Sequence, residues 1–236
     1  MLTAVERILS DSLRTGAESP SWHHSLTLLV AYATAPRHVG RGLLDLTAAQ
    51  LAELRIAAPG IGFERWTRED AARALLLIER RAQGSSGDTF VADARACFEQ
   101  GDAREQQSWL KAIALWPEAE ALLPDAIEAC RTNIIPVFEA LACENPYPAA
   151  HFPDRNFNQV VLKAMFNAIA LSRIAGLRPR LNPDLSRMAR DYAAERTAAG
   201  RSVPADIHLA MPDASPSAEA SASAKATADK SGDKQE

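Results

Sequence analysis

One predicted helix, residues 154–169, carries the polar side chains that are the first candidates for chemistry. Its apolar residues cover most of a helical wheel and leave a narrow polar stripe. The stripe consists of Asn156, Gln159, Lys163 and Asn167. Because a helix this apolar is expected to be largely buried, the stripe faces either a strip of solvent or a ligand. Asn158 falls among the apolar residues instead, so its amide needs a partner inside the protein.

Two carboxylates, Glu139 and Glu144, lie on the preceding predicted helix, residues 137–144. Glu139 points away from the apolar face, whereas Glu144 comes round to that face at the helix C-terminus. The helix dipole and the loss of water both destabilise a carboxylate in that position, so Glu144 should have a cationic or N–H partner. The nearby candidates are Arg131, Lys163 and Arg173. Such a pair either fixes two helices to each other or takes part in binding.

The link between these two helices, residues 145–153, contains three prolines. Prolines stiffen the backbone, so Tyr147, His151 and Phe152 are expected to be held in place without a helix beneath them. Such a segment forms either the wall of a pocket or an ordinary packed loop. His151 by itself does not define a general acid–base site.

Other kinds of site find no support in the sequence. His23 and His24 are adjacent and so point in different directions on a helix, and no HExxH motif is present. The three cysteines have no CxxC spacing, and each lies in an apolar helical context where a thiol behaves as a small hydrophobe. The glycine and serine segment at residues 84–87 lacks the lysine of a phosphate-binding loop. We therefore expect no metal, no cofactor and no catalytic constellation.

Composition narrows the class of protein further. The chain of 236 residues is 47% hydrophobic and 24% charged, with a net charge of −4, which is not the basic balance of a nucleic-acid-binding protein. Its longest apolar run, residues 26–35, is about half the ~20 residues that a membrane-spanning helix needs. The N-terminus lacks a basic region followed by an apolar one, so no export signal is expected. These features predict a cytoplasmic protein without a transmembrane segment. They are also compatible with a protein that acts close to a membrane surface.

The pattern of caps and breaks predicts an all-α protein. Apolar residues recur at helical spacing along the chain, and no segment alternates as a strand does. Caps are expected at Thr47, at Thr67 with Asp70, and at Asn182, while Pro124 and Pro136 suit helix starts. A second helix is predicted from Ser21 to the residues before Pro36. Short connections favour antiparallel neighbours, arranged as an irregular multi-helix bundle or as a short α-solenoid-like stack.

The C-terminus has a different composition from the rest of the chain. Residues 212–236 contain no aromatic residue and no Leu, Ile, Val or Met, so nothing there offsets the entropy of ordering. We expect one helical domain over residues 1–211 and a disordered tail over 212–236.

Several segments resemble the EboA-domain family. They are SWLKAIALWP (108–117), EACRTNIIPVFEALACENPYP (128–148), FPDRNFNQVVLKAMF (152–166), SRIAGL (172–177), LSRMARDYAAER (185–196) and GRSVPADI (200–207). The resemblance is strongest over residues 109–207 and looser before residue 108. It implies an all-helical protein of a bacterial gene cluster that also encodes a prenyltransferase-like membrane protein and enzyme-like proteins. That cluster is linked to moving secondary metabolites or their precursors towards the periplasm.

The resemblance and the residue patterns together give one set of candidate binding residues and no catalytic residue. The candidates are Arg131, Asn133, Glu139, Glu144, Asn145, Tyr147, His151, Asn158, Gln159 and Lys163; Phe157 also matches the family pattern.

Three functions fit these candidates. The first is a non-enzymatic binding or adaptor protein that holds a metabolite or a partner from the same gene cluster on the surface around Arg131 and Lys163. The second is an enzyme acting on a prenylated or aromatic metabolite, with Glu144 or His151 as acid or base. The third is a scaffold whose polar residues form internal ion pairs.

Overall fold

The computed structural model describes residues 2–14, 23–84 and 86–211. Within these ranges the chain forms eleven α-helices and no β-sheet, which confirms the predicted all-α class. The helices are α1 (Leu2–Leu13), α2 (Leu28–Val39), α3 (Ala48–Ala57), α4 (Arg68–Ala82), α5 (Gly87–Glu99), α6 (Ala103–Ala112), α7 (Leu123–Ala129), α8 (Ile135–Ala142), α9 (Tyr147–His151), α10 (Asp154–Phe166) and α11 (Pro183–Ala198). The tail predicted to be disordered, residues 212–236, lies outside the described residues.

Helix α4 lies at the centre of the N-terminal half. It packs against α1, α2 and α6, and α6 packs in turn against α8. The residues from Glu69 to Ile78 are all buried, as expected for a helix that has neighbours on most of its sides. Thr67 opens α4 with the predicted capping box, because its hydroxyl accepts the Asp70 N–H while Asp70 accepts the Thr67 N–H. As a result, the charged first turn of α4 is placed inside the protein.

Helix α2 differs from its prediction, because it begins at Leu28 and runs through Pro36. A proline inside a helix leaves the carbonyl four residues earlier without its usual donor. That carbonyl belongs to Tyr32, and it accepts a hydrogen bond of 3.0 Å from Nε of Arg73 on α4. The start predicted at Ser21 lies outside the described residues. A donor from another helix thus allows α2 to continue past a residue that usually ends one.

The C-terminal half confirms two expectations about asparagines. Asn182 caps α11, since its Oδ1 accepts the N–H of Leu185 at 2.9 Å. The predicted internal partner of Asn158 is the same Asn182: the two side-chain amides exchange hydrogen bonds of 3.1 and 3.0 Å. This pair joins α10 to the start of α11.

Three boundaries in this half are corrected. The helix predicted over residues 137–144 is α8, Ile135–Ala142, so Glu144 lies beyond its end. The link predicted to lack a helix contains α9, a single turn that begins at Tyr147 and has Pro148 among its first two residues, where proline is tolerated. Helix α10 ends at Phe166 rather than at residue 169, because Ala168 takes a left-handed conformation with φ of 55°. In the described part of the chain, no helix combines the length and apolar character that crossing a membrane requires.

Candidate functional site

Glu144, just after the C-terminal end of α8, is where three chain segments meet. Its φ is 47°, a left-handed conformation that residues other than glycine rarely adopt. Its backbone N–H donates to the carbonyl of Arg173 at 2.8 Å, and its own carbonyl accepts the N–H of Gly62 at 2.9 Å. Backbone conformations of this kind persist only where the surroundings hold them, and they cluster at functional sites.

The side chain of Glu144 binds Arg173, one of the three partners expected from the sequence. Nε and Nη2 of Arg173 donate to the two carboxylate oxygens at 2.8 and 3.0 Å, and Nη1 donates to Glu139 at 3.1 Å. The hydrogen bond to Glu144 is the main cause that raises the pKa of the Arg173 guanidinium above its usual value. One arginine therefore holds both carboxylates predicted on this segment.

A groove of about 170 Å³ lies beside this pair, and we call it the Glu144 groove. Its lining includes Gly62, Arg65, Lys111, Glu139, Glu144 and Arg173. The turn before α4 contributes the first two of these, and α6 contributes Lys111. Most pockets that enclose a small organic ligand measure roughly 300–1,000 Å³, so this groove is below that range.

Gly62 has no room for a side chain. A Cβ atom added there would lie 2.5 Å from Cβ of Glu144, a distance that real Cβ atoms essentially never show. The close approach allows the N–H of Gly62 to reach the carbonyl of Glu144. Glycine at this position is therefore required for the contact between the turn before α4 and the end of α8.

Lys111 connects the groove to a buried polar network on α4 and α6. Its ammonium donates to Asp70 at 2.6 Å, and the other oxygen of Asp70 accepts the hydroxyl of Ser108 at 2.7 Å. Ser108 in turn accepts from Arg73 at 3.0 Å, and Arg73 also donates to Glu69 at 3.3 Å. The side chain of Arg73 is only 2% exposed.

Sequence reasoning missed this network, apart from the role of Asp70 as a cap. The available signal was an acid and an arginine four residues apart, Glu69 and Arg73, at the start of a helix that is otherwise rich in Ala and Leu. On a helix with apolar residues on most sides, such a pair has to be buried.

The residues around Arg131 and Lys163 form a separate surface at the other end of α8. The Lys163 ammonium donates to the carbonyls of Cys130 and Thr132 at 2.6 and 2.5 Å, so it lies beside the exposed Arg131. Arg131 itself pairs with Glu128 at 2.6 Å. Asn133 and Gln159 are exposed nearby in sequence. This Arg131–Lys163 surface is therefore distinct from the Glu144 groove.

The remaining candidates lie in the interior or pack against it. Asn145 donates to the carbonyls of Leu110 and Ala140 at 2.8 and 3.1 Å, and it accepts the N–H of Tyr147 at 3.0 Å. The ring centroids of His151 and Tyr147 are 4.6 Å apart. These contacts fix α9 to α6 and α8. Asn158 is buried on α10, where it bonds to Asn182 at the start of α11. The ten candidates thus occupy three places rather than one.

Burial disfavours the thiolate form of all three cysteines. It raises the pKa of Cys97, Cys130 and Cys143 to about 12 in each case. A nucleophilic cysteine requires the opposite shift. In the described ranges, no three residues of the metal-binding types His, Cys, Asp and Glu are grouped so that they could hold an ion.

Comparison with known proteins gives one match. The family model described as metabolite traffic protein EboA matches residues 17–211, most of the chain. That range includes the Glu144 groove and the Arg131–Lys163 surface. No curated protein and no solved structure matches the chain.

Proposed function

The chain belongs to the EboA family of metabolite traffic proteins, and from that premise we propose that it is a non-enzymatic helical adaptor that docks a protein of the same pathway at the Glu144 groove. In this proposal it works in the bacterial cytoplasm. There it helps to pass a secondary metabolite or its precursor towards the periplasm. The partner is a protein encoded with it in the metabolite-traffic gene cluster.

The observation that carries the proposal is the way Arg173 holds Glu139 and Glu144 at the wall of a small groove. Three cationic and two anionic side chains line the groove, and most of them are fixed by hydrogen bonds. Fixed charges of both signs favour the recognition of one complementary surface over others. The volume of about 170 Å³ suits a side chain of a partner better than a whole metabolite.

Arg65 is the residue of the groove that a partner would meet first. Its side chain is 62% exposed, and its Nε lies 3.5 Å from the carboxylate of Glu144. A long, exposed arginine beside a fixed carboxylate can contribute both packing and charge at an interface. Substituting it should therefore change docking with little effect on the fold.

The hydrogen bonding of Glu144 supports an adaptor over an enzyme. A general acid or base has to exchange a proton with its substrate. Both oxygens of Glu144 are instead bound by Arg173, and the backbone of the same two residues is also hydrogen-bonded. These hydrogen bonds hold Glu144 in one position, which suits a fixed binding surface better than proton exchange with a substrate.

The test is site-specific photo-crosslinking in the native host. A photoreactive amino acid replaces Arg65 in the groove, Arg131 on the other surface, or Arg55 as a matched control. Arg55 is also exposed and also pairs with a glutamate, Glu64, but it does not line the groove. In parallel, the metabolite distribution is compared between Arg65→Glu and Arg55→Glu strains.

We expect position 65 to crosslink to one protein of the pathway, and Arg65→Glu to reduce both complex formation and metabolite delivery. Crosslinking from position 131 alone would move the docking site to the Arg131–Lys163 surface. If the purified protein turned over a pathway intermediate, and Glu144→Gln abolished that activity with the fold intact, the protein would be an enzyme and the adaptor proposal would be wrong.

A further inference from the structure

A second concavity lies between the turns of residues 171–181 and the last described turn, Ile207–Ala210. We call it the Arg178 cleft. Its volume is about 650 Å³, within the range of about 300–1,000 Å³ that holds small molecules. Its apolar lining includes Leu171, Ile174, Leu177, Leu181, Leu209 and Met211. None of the candidate residues from the sequence lines it.

Three arginines lie in or near one wall of this cleft, and they have different roles. Arg173 binds Glu139 and Glu144. Arg180 donates to the carbonyls of Ala149 and Phe152 at 2.5 and 2.7 Å and to Asp154 at 2.9 Å. Two of the arginines therefore anchor the wall to the body of the protein.

Arg178, between them, is the arginine that lines the cleft. Its backbone carbonyl accepts the N–H of Leu181 at 3.3 Å, whereas its exposed guanidinium makes no hydrogen bond or ion pair with any described residue. The other titratable group in the lining is His208, and the lining contains no acidic residue. Asp206, two residues before His208, accepts the backbone N–H of Ser172 at 3.2 Å. A positive charge is thus available beside an apolar surface.

The cleft is held open by contacts that do not involve a ligand. Gly176 has φ of 73°, and a Cβ atom there would lie 2.5 Å from Cβ of Ala149, so the wall packs directly on α9. The bond from Ser172 to Asp206 joins the two sides. A concavity shaped by the fold, with apolar side chains and a few polar groups in its lining, is the usual form of a small-molecule site.

We propose that the Arg178 cleft binds a small amphiphilic anion. Its carboxylate or phosphate head pairs with the Arg178 guanidinium, and its apolar body lies against Leu177, Leu181 and Leu209. Arginine suits such a head because its planar group donates two parallel hydrogen bonds. This part of the inference rests on the metabolite-traffic role proposed above: the cleft would hold the transported molecule, whereas the Glu144 groove is the proposed docking site for a protein. It uses different residues and stands independently of the docking proposal.

The experiment titrates the full-length protein with three soluble probes: dodecanoate, dodecyl phosphate and dodecanol, each kept below the concentration at which it aggregates. Binding is measured by calorimetry and by changes in amide NMR signals. Arg178→Ala removes the charge, and Leu209→Trp fills part of the cleft. Arg190→Ala is the matched control, because Arg190 is an exposed arginine on α11 that does not line the cleft.

We expect both anions to bind and to shift signals from residues 171–181 and 207–211. Arg178→Ala should weaken the two anions by about 10- to 100-fold, the loss expected for a hydrogen-bonded charge, and leave dodecanol unchanged. Leu209→Trp should weaken all three probes, and Arg190→Ala none. These results do not depend on whether a protein crosslinks at position 65.

Four outcomes would overturn the inference. The first three are no binding of either anion, equal binding of anions and dodecanol by the unchanged protein, and an Arg178→Ala variant with full affinity. A fourth would be binding to phosphatidylglycerol vesicles without binding to the monomeric probes. That result would make the cleft a contact for a membrane surface instead of a site for a free molecule.

Discussion

Arg173 binds Glu144 twice, through its side chain and through its backbone. The guanidinium donates to both carboxylate oxygens at 2.8 and 3.0 Å, and the Arg173 carbonyl accepts the Glu144 N–H at 2.8 Å. The left-handed conformation of Glu144 costs about 1–2 kcal/mol for a residue other than glycine. These bonds, together with the one from Gly62, hold Glu144 in that conformation and join α8 to the wall of the Arg178 cleft.

The first prediction concerns Arg173→Ala, which leaves Glu139 and Glu144 half-buried without their cation. We expect the free energy of unfolding to fall by about 2–3 kcal/mol, less than for a fully buried pair because these side chains keep some contact with water. Urea denaturation measures it. Arg187→Ala is the control, since its pairs with Asp184 and Asp191 are exposed and should be worth less than about 0.5 kcal/mol. Equal stability of the two variants would contradict the role of Arg173.

Gly62→Ala tests the close contact at the groove. The new methyl group meets the side chain of Glu144, and such overpacking typically costs about 1–3 kcal/mol. Gly42→Ala serves as the control, because a Cβ there meets no atom within 4 Å and φ is not positive. Its stability should be unchanged or slightly higher. Thermal unfolding of both variants gives the comparison. If Gly62→Ala were as stable as Gly42→Ala, the close contact between Gly62 and Glu144 would not require glycine.

Lys163→Met tests whether this lysine stabilises the fold. The ammonium binds two carbonyls just after α7 and lies 4.9 Å from the centroid of the Phe138 ring. Methionine keeps most of the apolar stem and removes the charge, so we expect a loss of about 1–2 kcal/mol in urea denaturation. Gln159→Ala, one turn earlier on α10, should change stability by less than about 0.5 kcal/mol. A loss of function at Lys163 is therefore informative only when stability is measured alongside it.

The thiols should be slow to react in the folded protein. With pKa values of about 12, each carries on the order of a thousandfold less thiolate near neutral pH than an unperturbed cysteine. An aromatic disulfide reagent at pH 8 should modify Cys97, Cys130 and Cys143 slowly in buffer and rapidly in urea. One fast cysteine in the folded protein would instead identify a nucleophile.

The same burial predicts a loss of stability at high pH. The thiol of an unfolded chain releases its proton near pH 8.5, whereas the folded thiols keep theirs to about pH 12. The contribution of each thiol is therefore complete below about pH 8.5 and is lost as the pH rises towards 12. Unfolding free energies at pH 7 and pH 10 should differ less in Cys97→Ala than in the unchanged protein. An identical difference in both would show that Cys97 does not contribute.

Local sequence was enough to predict how several helices begin. Thr47, Thr67 and Asn182 were expected as caps, and each accepts a backbone N–H of its own helix. Capping involves residues within a single turn, so it can be seen in the chain without knowledge of its path. The need of Glu144 for a cationic partner was also visible locally, because the residue follows an apolar helix closely, although it lies just beyond the end of α8 rather than on it.

Contacts between distant segments account for the error at α2 and for the groove residues that the sequence did not indicate. Pro36 was expected to end α2, but Arg73 from α4 supplies the missing donor to Tyr32. The Glu144 groove depends on Gly62 and Lys111, which lie far from Glu144 in sequence. No periodicity or motif connects such positions, because their contact depends on how α4, α6 and α8 pack.

The sequence by itself determined the all-α class, the family and the requirement of Glu144 for a partner such as Arg173. These depend on composition, on periodicity over a few turns and on motifs within one stretch of chain. Only the tertiary structure decided which charged side chains form hydrogen bonds or ion pairs within the protein and which have no such partner among the described residues. It places Lys163 on two carbonyls, divides the predicted site into three places, and leaves Arg178 unpaired among the described residues while Arg173 and Arg180 anchor the wall. The physical reason is that a hydrogen bond between segments depends on the path of the whole chain.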